Sequence, residues 1–502
     1  MMAVLQAVVT GGVLFLLYRY LLKTIGAEQI GIWAIVLATA SASRISEMGF
    51  AGSVVKFTAK YIARGDQDKA AEVVQTTYIT IGVSLMCILV VGYPFISWIM
   101  GKLVPTSQVA IARAILPIAL LSVWTGGASG VFLGGLDGCQ RIDLRAFIAI
   151  FAGSIFLILT WILVPKFGLF GLAWAQIGQG TFMLLAGRIL LQRELPSLPW
   201  LPHGWRYSVF KEMLQYGLNF QVTSVFSMLF EPTTKALMAV FGGLASTAYY
   251  EMAHRMVVQF RSLLVSANQV IVPRVAVLQE TEPEKVRKAY LESYRMLFFL
   301  ALPLFAGVAA FTPLASEVWI GRYEPCFVGY SLLLVAGWWL NTLSAPAYFI
   351  NLGTGLLFWN TLGHVTIGVL NVVLGYLLGL AFGSVGVVLG YVLALVVGSS
   401  LIAIRYQFNN GIALRELLPR ENRKLFIVCC AGALMGFISF YCFKVPSGAL
   451  KGGLSLAIYI LTIAFAFWKH PLRTKIGMQI GAVLARRTSV TNLGRSISTP
   501  LP

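Results

Sequence analysis

The residues best able to do chemistry are five ionisable ones in a stretch that is otherwise apolar. Glu231, Lys235, Glu251, His254 and Arg255 lie within the run from Gly217 to Arg274, which breaks at Phe241-Gly242-Gly243-Leu244. A charge at bilayer depth costs at least about 2.5 to 3.5 kcal/mol, so such residues face a partner or a wet cavity and often mark a transport path. Glu231 stands eleven residues before Gly242 and Glu251 nine after it, so an antiparallel helix pair brings both carboxylates to similar depth. Glu231/Lys235 and Glu251/Arg255 are also i,i+4 pairs, neighbours on one helix face. The cations suit an anionic cargo, the carboxylates suit exchange of H+ or Na+, and the same spacing equally suits ion pairs that only lock two helices together.

The elements that hold these residues are membrane helices. Of 502 residues, 58% are hydrophobic and 11% charged, with a mean hydropathy of +0.81, far more apolar than a soluble chain. Fourteen apolar runs of about twenty residues or more follow one another, from 3–22 to 449–468. The net charge of +19 is explained by cytoplasmic loops rather than nucleic acid, because Lys and Arg concentrate on one side of the membrane. With the N terminus inside, eighteen loop cations fall on the cytoplasmic side against six opposite, and both termini are expected in the cytoplasm. Cys87, Cys139, Cys326, Cys429, Cys430 and Cys442 have neither metal-ligand spacing nor the density of a disulfide scaffold.

A repeat divides the chain. Gly26 matches Gly242 and Asp66–Lys69 matches Glu282–Lys285 at an offset of 216 (242 − 26, 285 − 69), as do Trp33 and Tyr249. Phe167-Gly168 with Gly171 returns as Phe382-Gly383 with Gly386 at 215. The expected architecture is all-α: two parallel six-helix lobes over 1–191 and 216–405, a cytoplasmic linker at 192–215, two extra helices in 406–468, and a basic tail at 469–502 that begins as an interfacial helix. In this register Arg19 maps onto Lys235 (235 − 19 = 216), so the two cations are expected to converge on a central cavity unless Arg19 snorkels outward. Arg44 and Glu47 lie deep in the second run, spaced i,i+3. His364 stands alone in the eleventh, where a packing role competes with proton carriage.

No Gly-rich P-loop, zinc-protease helix or nucleophile elbow is present, and no large loop could house an enzyme site. The expectation is a non-enzyme without metal or cofactor.

Three features together carry a resemblance: Lys23-Thr24-Ile25-Gly26-Ala27-Glu28-Gln29-Ile30-Gly31 after the first run, Glu47-Met48-Gly49-Phe50 in the second, and the Gly65-Asp66…Lys69 loop with its Phe-Gly-x-x-Gly turns. The chain resembles the polysaccharide exporter (O-antigen flippase-like) family of the multidrug/oligosaccharidyl-lipid/polysaccharide exporter superfamily. It departs from that pattern by entering the first run directly, which raises the expectation of a truncated start. The resemblance implies a V-shaped pair of lobes that flips a polyprenyl-pyrophosphate-linked oligosaccharide across the bacterial inner membrane by alternating access. Partners then include the lipid-linked substrate, a polysaccharide polymerase, a chain-length regulator and a coupling H+ or Na+. Arg19, Lys235, Arg255 and Arg44 become candidates for the pyrophosphate, and Tyr18 and Tyr249, with Asn219, Gln221 and Tyr250, for the sugar; Glu231, Glu251 and Glu47 are the coupling carboxylates. A multidrug antiporter of the same superfamily and a non-transporting scaffold of a polysaccharide assembly complex are the competing readings.

Overall fold

The computed structural model describes residues 2–41, 50–200, 204–269, 271–442 and 448–473. Among them the chain is helical without strands. The first half holds α1 (Met2–Thr24), α2 (Gly26–Ser41), α3 (Phe50–Ala63), α4 (Gln67–Leu103), α5 (Val109–Gly138), α6 (Ile142–Phe167) and α7 (Leu169–Glu194). The second holds α8 (Tyr207–Asn268), α9 (Ile271–Thr281), α10 (Glu284–Ala315) running into a π-helical turn (Ser316–Ile320), α11 (Pro325–Thr342), α12 (Ala345–Thr354) and α13 (Phe358–Asn409). After these come α14 (Leu414–Leu417), α15 (Arg420–Cys442) and α16 (Gly448–Trp468). Nine stretches among the described residues are long and apolar enough to cross a membrane.

Helix ends follow local chemistry, and they repeat. Asp66 caps α4 by accepting the Lys69 amide at 3.1 Å and pairs with the Lys69 ammonium, the interaction expected of a short acidic side chain at a helix start. Glu282 and Lys285 form the matching i,i+3 pair before α10. Helix α5 spans 109–138 and the α11–α12 unit 325–354, an offset of 216 at both ends (325 − 109, 354 − 138).

Four glycines reverse the chain at one end of the bundle. Gly26, Gly168, Gly243 and Gly383 all have φ between +54° and +83°, a conformation that costs other L-residues strain but not glycine. Gly243 divides α8 and Gly383 divides α13 into antiparallel hairpins. After the Gly168 and Gly383 turns, a glycine lets the arms touch: a Cβ on Gly171 would strike the Leu163 carbonyl, and one on Gly386 the equivalent Leu378 carbonyl. The left-handed glycine of α8 is Gly243, not Gly242, so the hairpins of α1–α2 and α8 are related by 217 (243 − 26) rather than the expected 216. That single residue rotates the comparison of side chains by about 100° around the helix.

The two halves are closest at this glycine-turn end. Gly31 of α2 lies against the backbone of Leu244 in α8, where any Cβ would collide with the Leu244 carbonyl. At the opposite end the start of α8 leans on the first half: Lys60 pairs with Glu212 at 2.8 Å, the Tyr61 hydroxyl donates to Glu212 at 3.2 Å, and the Ser53 hydroxyl donates to the Met213 carbonyl. The Lys60 ammonium holds the Glu212 carboxyl below the usual carboxylate range, with Tyr61 helping.

Candidate functional site

Folding α8 back at Gly243 places Lys235 opposite Glu251. The Lys235 ammonium sits 2.8 Å from Glu251 Oε2 and 2.7 Å from Glu231 Oε1, and Arg255 Nε donates to Glu251 Oε1 at 2.5 Å. The Tyr18 hydroxyl of α1 donates to the same oxygen at 3.4 Å. Lys235 and Glu251 are sealed from the surroundings, whereas the Glu231 side chain is 44% exposed and that of Arg255 35%. Both expected i,i+4 pairs are therefore present. What the spacing did not reveal is that Lys235 welds them into one four-charge network, two anions and two cations, across the hairpin. Buried charges persist only when compensated in this way.

Arg255 is the member that borders a cavity. The space, about 380 Å³ between the two halves, is walled also by Gly11 and Phe15 of α1, Gln259 and Phe260 of α8, Phe311 of α10 and Trp319 of the π-helical turn. Trp319 donates its indole N–H to the Phe15 carbonyl at 2.7 Å and stacks on the Phe15 ring, so the turn after α10 is pinned to α1 at the cavity's edge. Arg255 and Gln259, one helical turn apart, border a wall that is almost wholly apolar.

The other expected site residues are distributed differently. Arg19 is exposed, and the structure does not bring it to Lys235. With the hairpins related by 217, the counterpart of Lys235 is Tyr18 (235 − 217), and Tyr18 is the residue that is buried and reaches Glu251. The convergence of two cations is thus corrected to the convergence of a cation and a phenol. Tyr249 is buried but turned toward the Arg322–Glu324 pair in the connection to α11, away from the network. Arg44 and Glu47 lie outside the described residues, as do the side chains of Asn219 and Gln221 and the tail beyond Arg473. Among the described residues no cluster of His, Cys, Asp and Glu has the makings of a metal site.

Behind the network, His254 and Tyr250 belong to an aromatic layer whose other members the sequence does not single out. His254 Nε2 and the Tyr391 hydroxyl are 3.1 Å apart, Tyr250 stacks on the His254 ring, Phe230 stacks on Tyr391 at 4.4 Å between centroids, and Trp338 closes the group. Arg261 lies over the Trp338 ring at 4.6 Å and donates to Asn341 at 2.9 Å, a cation–π and amide pairing in place of a carboxylate. Tyr250, His254 and Arg261 recur at i, i+4 and i+11, a helical stripe; the signal was there, but Tyr391 and Trp338 come from α13 and α11 and share no local pattern with it. His364 packs edge-on against Tyr348.

Solved membrane transporters share this architecture. The lipid II flippase MurJ in its inward closed conformation superposes with a TM-score of 0.71 at 13% identity, covering 94% of this chain and 100% of that one. An inward-facing multidrug resistance MATE family transporter of the MOP superfamily gives 0.69 at 15% identity over 81% and 98% of the two chains. A MOP superfamily transporter from Pyrococcus furiosus gives 0.58 at 14% identity over 81% and 95%. At these identities the likeness is one of fold, that of a multi-pass membrane transporter. No curated protein sequence matches the chain. Residues 24–326, more than half of the sequence, match the family model described as polysaccharide biosynthesis protein, and the chain belongs to that family.

Proposed function

We infer that this transporter moves a polyprenyl-pyrophosphate-linked oligosaccharide from the cytoplasmic to the outer leaflet of a bacterial inner membrane, for the assembly of a surface polysaccharide such as O-antigen, capsule or exopolysaccharide. The observation that carries the reading is Arg255: a partly exposed side chain, tied by its Nε to Glu251, at the wall of a cavity between the two halves. A pyrophosphate cannot enter such a space unpaired. The guanidinium nitrogens not engaged by Glu251 offer it charge-assisted hydrogen bonds, and Gln259 is one turn away.

The network behind Arg255 supports the step. When an anion draws Arg255 toward the cavity, Glu251 keeps Lys235 and Tyr18 as partners, so loosening one contact does not leave a carboxylate bare. Because Tyr18 belongs to α1, the same event makes Glu251 depend more on its contact with α1, and headgroup arrival is thereby linked to the relative position of the two halves. The lipid tail stays in the bilayer, beside apolar walls such as Phe15 and Phe311. Glu231 and Glu251 are the carboxylates available to a coupling H+ or Na+. Both termini lie in the cytoplasm, on the side richer in Lys and Arg, where a polymerase and a chain-length regulator of the same assembly act across the membrane. Substrate recognition and movement need no chemical step, so the chain works as a transporter rather than an enzyme.

The test is export in a strain carrying substituted protein at wild-type level. Arg255→Ala abolishes surface polysaccharide and leaves lipid-linked oligosaccharide accumulating in the inner membrane, while Arg255→Lys, which keeps the charge without the planar fork, exports at a reduced rate. Full export by the Ala protein overturns the reading. Loss of resistance to cationic drugs in Glu231→Gln, with polysaccharide untouched, favours antiport of drugs.

A further inference from the structure

A second apolar hollow lies in the first half, apart from the cavity that holds Arg255. Helices α4 and α5 diverge to leave two adjoining grooves of about 340 Å³ and 350 Å³, which share Met86 and Trp124. On α4 the floor follows Tyr78, Gly82, Met86, Leu89 and Tyr93, the i, i+4 stripe of one helix face; on α5 it follows Pro117, Leu121 and Trp124. The Trp124 indole N–H is spent on the Gly82 carbonyl at 2.9 Å. The groove is flanked by exposed Val83, Val90 and Val91, on helices apolar enough to lie in a bilayer. Tyr78 to Tyr93 is fifteen residues, roughly 22 Å of helix.

One end of this groove carries a charge. Arg113 precedes Pro117 by one turn on the same face of α5, and its Nε donates to the carbonyl of Ser97, one turn beyond Tyr93 on α4. The guanidinium also lies against Gly101, the next turn of the stripe, whose missing Cβ leaves it room. Arg113 is thus laid across the continuation of the groove and keeps its terminal nitrogens at the mouth, beside the exposed Trp98 and Phe95 and next to exposed Lys102. A cation with aromatic neighbours at the end of an apolar slot matches the two parts of a phospholipid: anionic headgroup at the interface, acyl chain along the helices.

We propose that the α4–α5 groove is a binding site for an anionic phospholipid of the surrounding bilayer, with Arg113 taking the headgroup phosphate and the Tyr78–Trp124 slot taking one acyl chain. The occupant is a resident lipid rather than the transported one, because none of the residues lining the groove belongs to α1, α8 or α10, which wall the Arg255 cavity.

Native mass spectrometry of the full chain, released from nanodiscs of phosphatidylcholine with one-tenth phosphatidylglycerol, tests this. Wild type retains phosphatidylglycerol over phosphatidylcholine. Arg113→Ala lowers that preference about tenfold, the size of one charge-assisted contact, while Leu121→Trp, which fills the slot, removes both adducts; each variant keeps its place in the membrane, since both positions are exposed. Equal retention of the two lipids by wild type, unchanged phosphatidylglycerol binding in both variants, stronger retention of added undecaprenyl phosphate than of phosphatidylglycerol, or a dimer that Leu121→Trp alone dissolves, each overturns the proposal.

Discussion

Tyr18 and Lys235 stand eight residues before the left-handed glycines Gly26 and Gly243 of their respective hairpins, and both end on the carboxylate of Glu251. The fold's internal repeat thus delivers a phenol from one half and an ammonium from the other to a single acid. The Tyr18 contact joins α1 to α8 across 233 residues of sequence.

Tyr18→Phe removes that link without changing packing volume. A hydrogen bond to a charged group contributes about 1.5 to 3 kcal/mol at best, and at 3.4 Å this one belongs at the low end. The expected result is a correctly inserted protein whose transport rate changes several-fold, read as the rate at which labelled surface polysaccharide appears.

Lys235→Met leaves Glu231 without its cation and Glu251 with Arg255 and Tyr18 only. Breaking a buried ion network from one side costs about 3 to 5 kcal/mol, so the purified protein should melt well below wild type or fail to accumulate in the membrane. Adding Glu251→Gln to Lys235→Met should recover most of the melting temperature but not transport. Recovery absent in the double variant would show that the loss came from packing rather than charge.

Gly31→Val places two methyl groups where the Leu244 backbone already touches α2. Overpacking of this kind costs about 1 to 3 kcal/mol and forces the glycine-turn ends of the halves apart. Cysteine pairs across α2 and α8 should cross-link more slowly in Gly31→Val than in wild type, while Gly12→Ala in α1, where a Cβ meets nothing, should leave cross-linking unchanged.

Glu212 gives a pH dependence outside the membrane. Its carboxyl is held below the usual range by Lys60, so the pair's stabilisation is present above the unfolded-state value, about 4.3, and is lost as pH falls through the lower folded value. Both side chains are partly exposed, 31% and 42%, so the effect is under about 1 kcal/mol. Wild type should lose its small advantage in melting temperature over Glu212→Gln as pH is taken from about 5 to below about 4; a constant difference across that range would remove the pair from the account.

The fold was legible because hydropathy and punctuation are local. Apolar runs, the Asp66 cap and the Phe-Gly-x-x-Gly turns each announce themselves within a few residues, and the lobes follow from their recurrence. The charged network was half legible: i,i+4 spacing found Glu231/Lys235 and Glu251/Arg255, and the hairpin argument put both acids at one depth. The Arg19 expectation failed through one residue. Aligning Gly26 with Gly242 instead of Gly243 turned the helix comparison by about 100° and selected the exposed neighbour of the residue that is buried. The His254–Tyr391–Trp338 layer needed three helices to be assembled in space, which no spacing along one of them encodes.

The network also has an electrical consequence. Glu231, Lys235, Glu251 and Arg255 sum to zero, so carrying all four through part of the membrane's voltage does no net work, although a single unbalanced charge would exchange about 2.3 kcal/mol per 100 mV. Any steep response to membrane potential therefore has to come from charges outside this network, Arg261 of α8 among them.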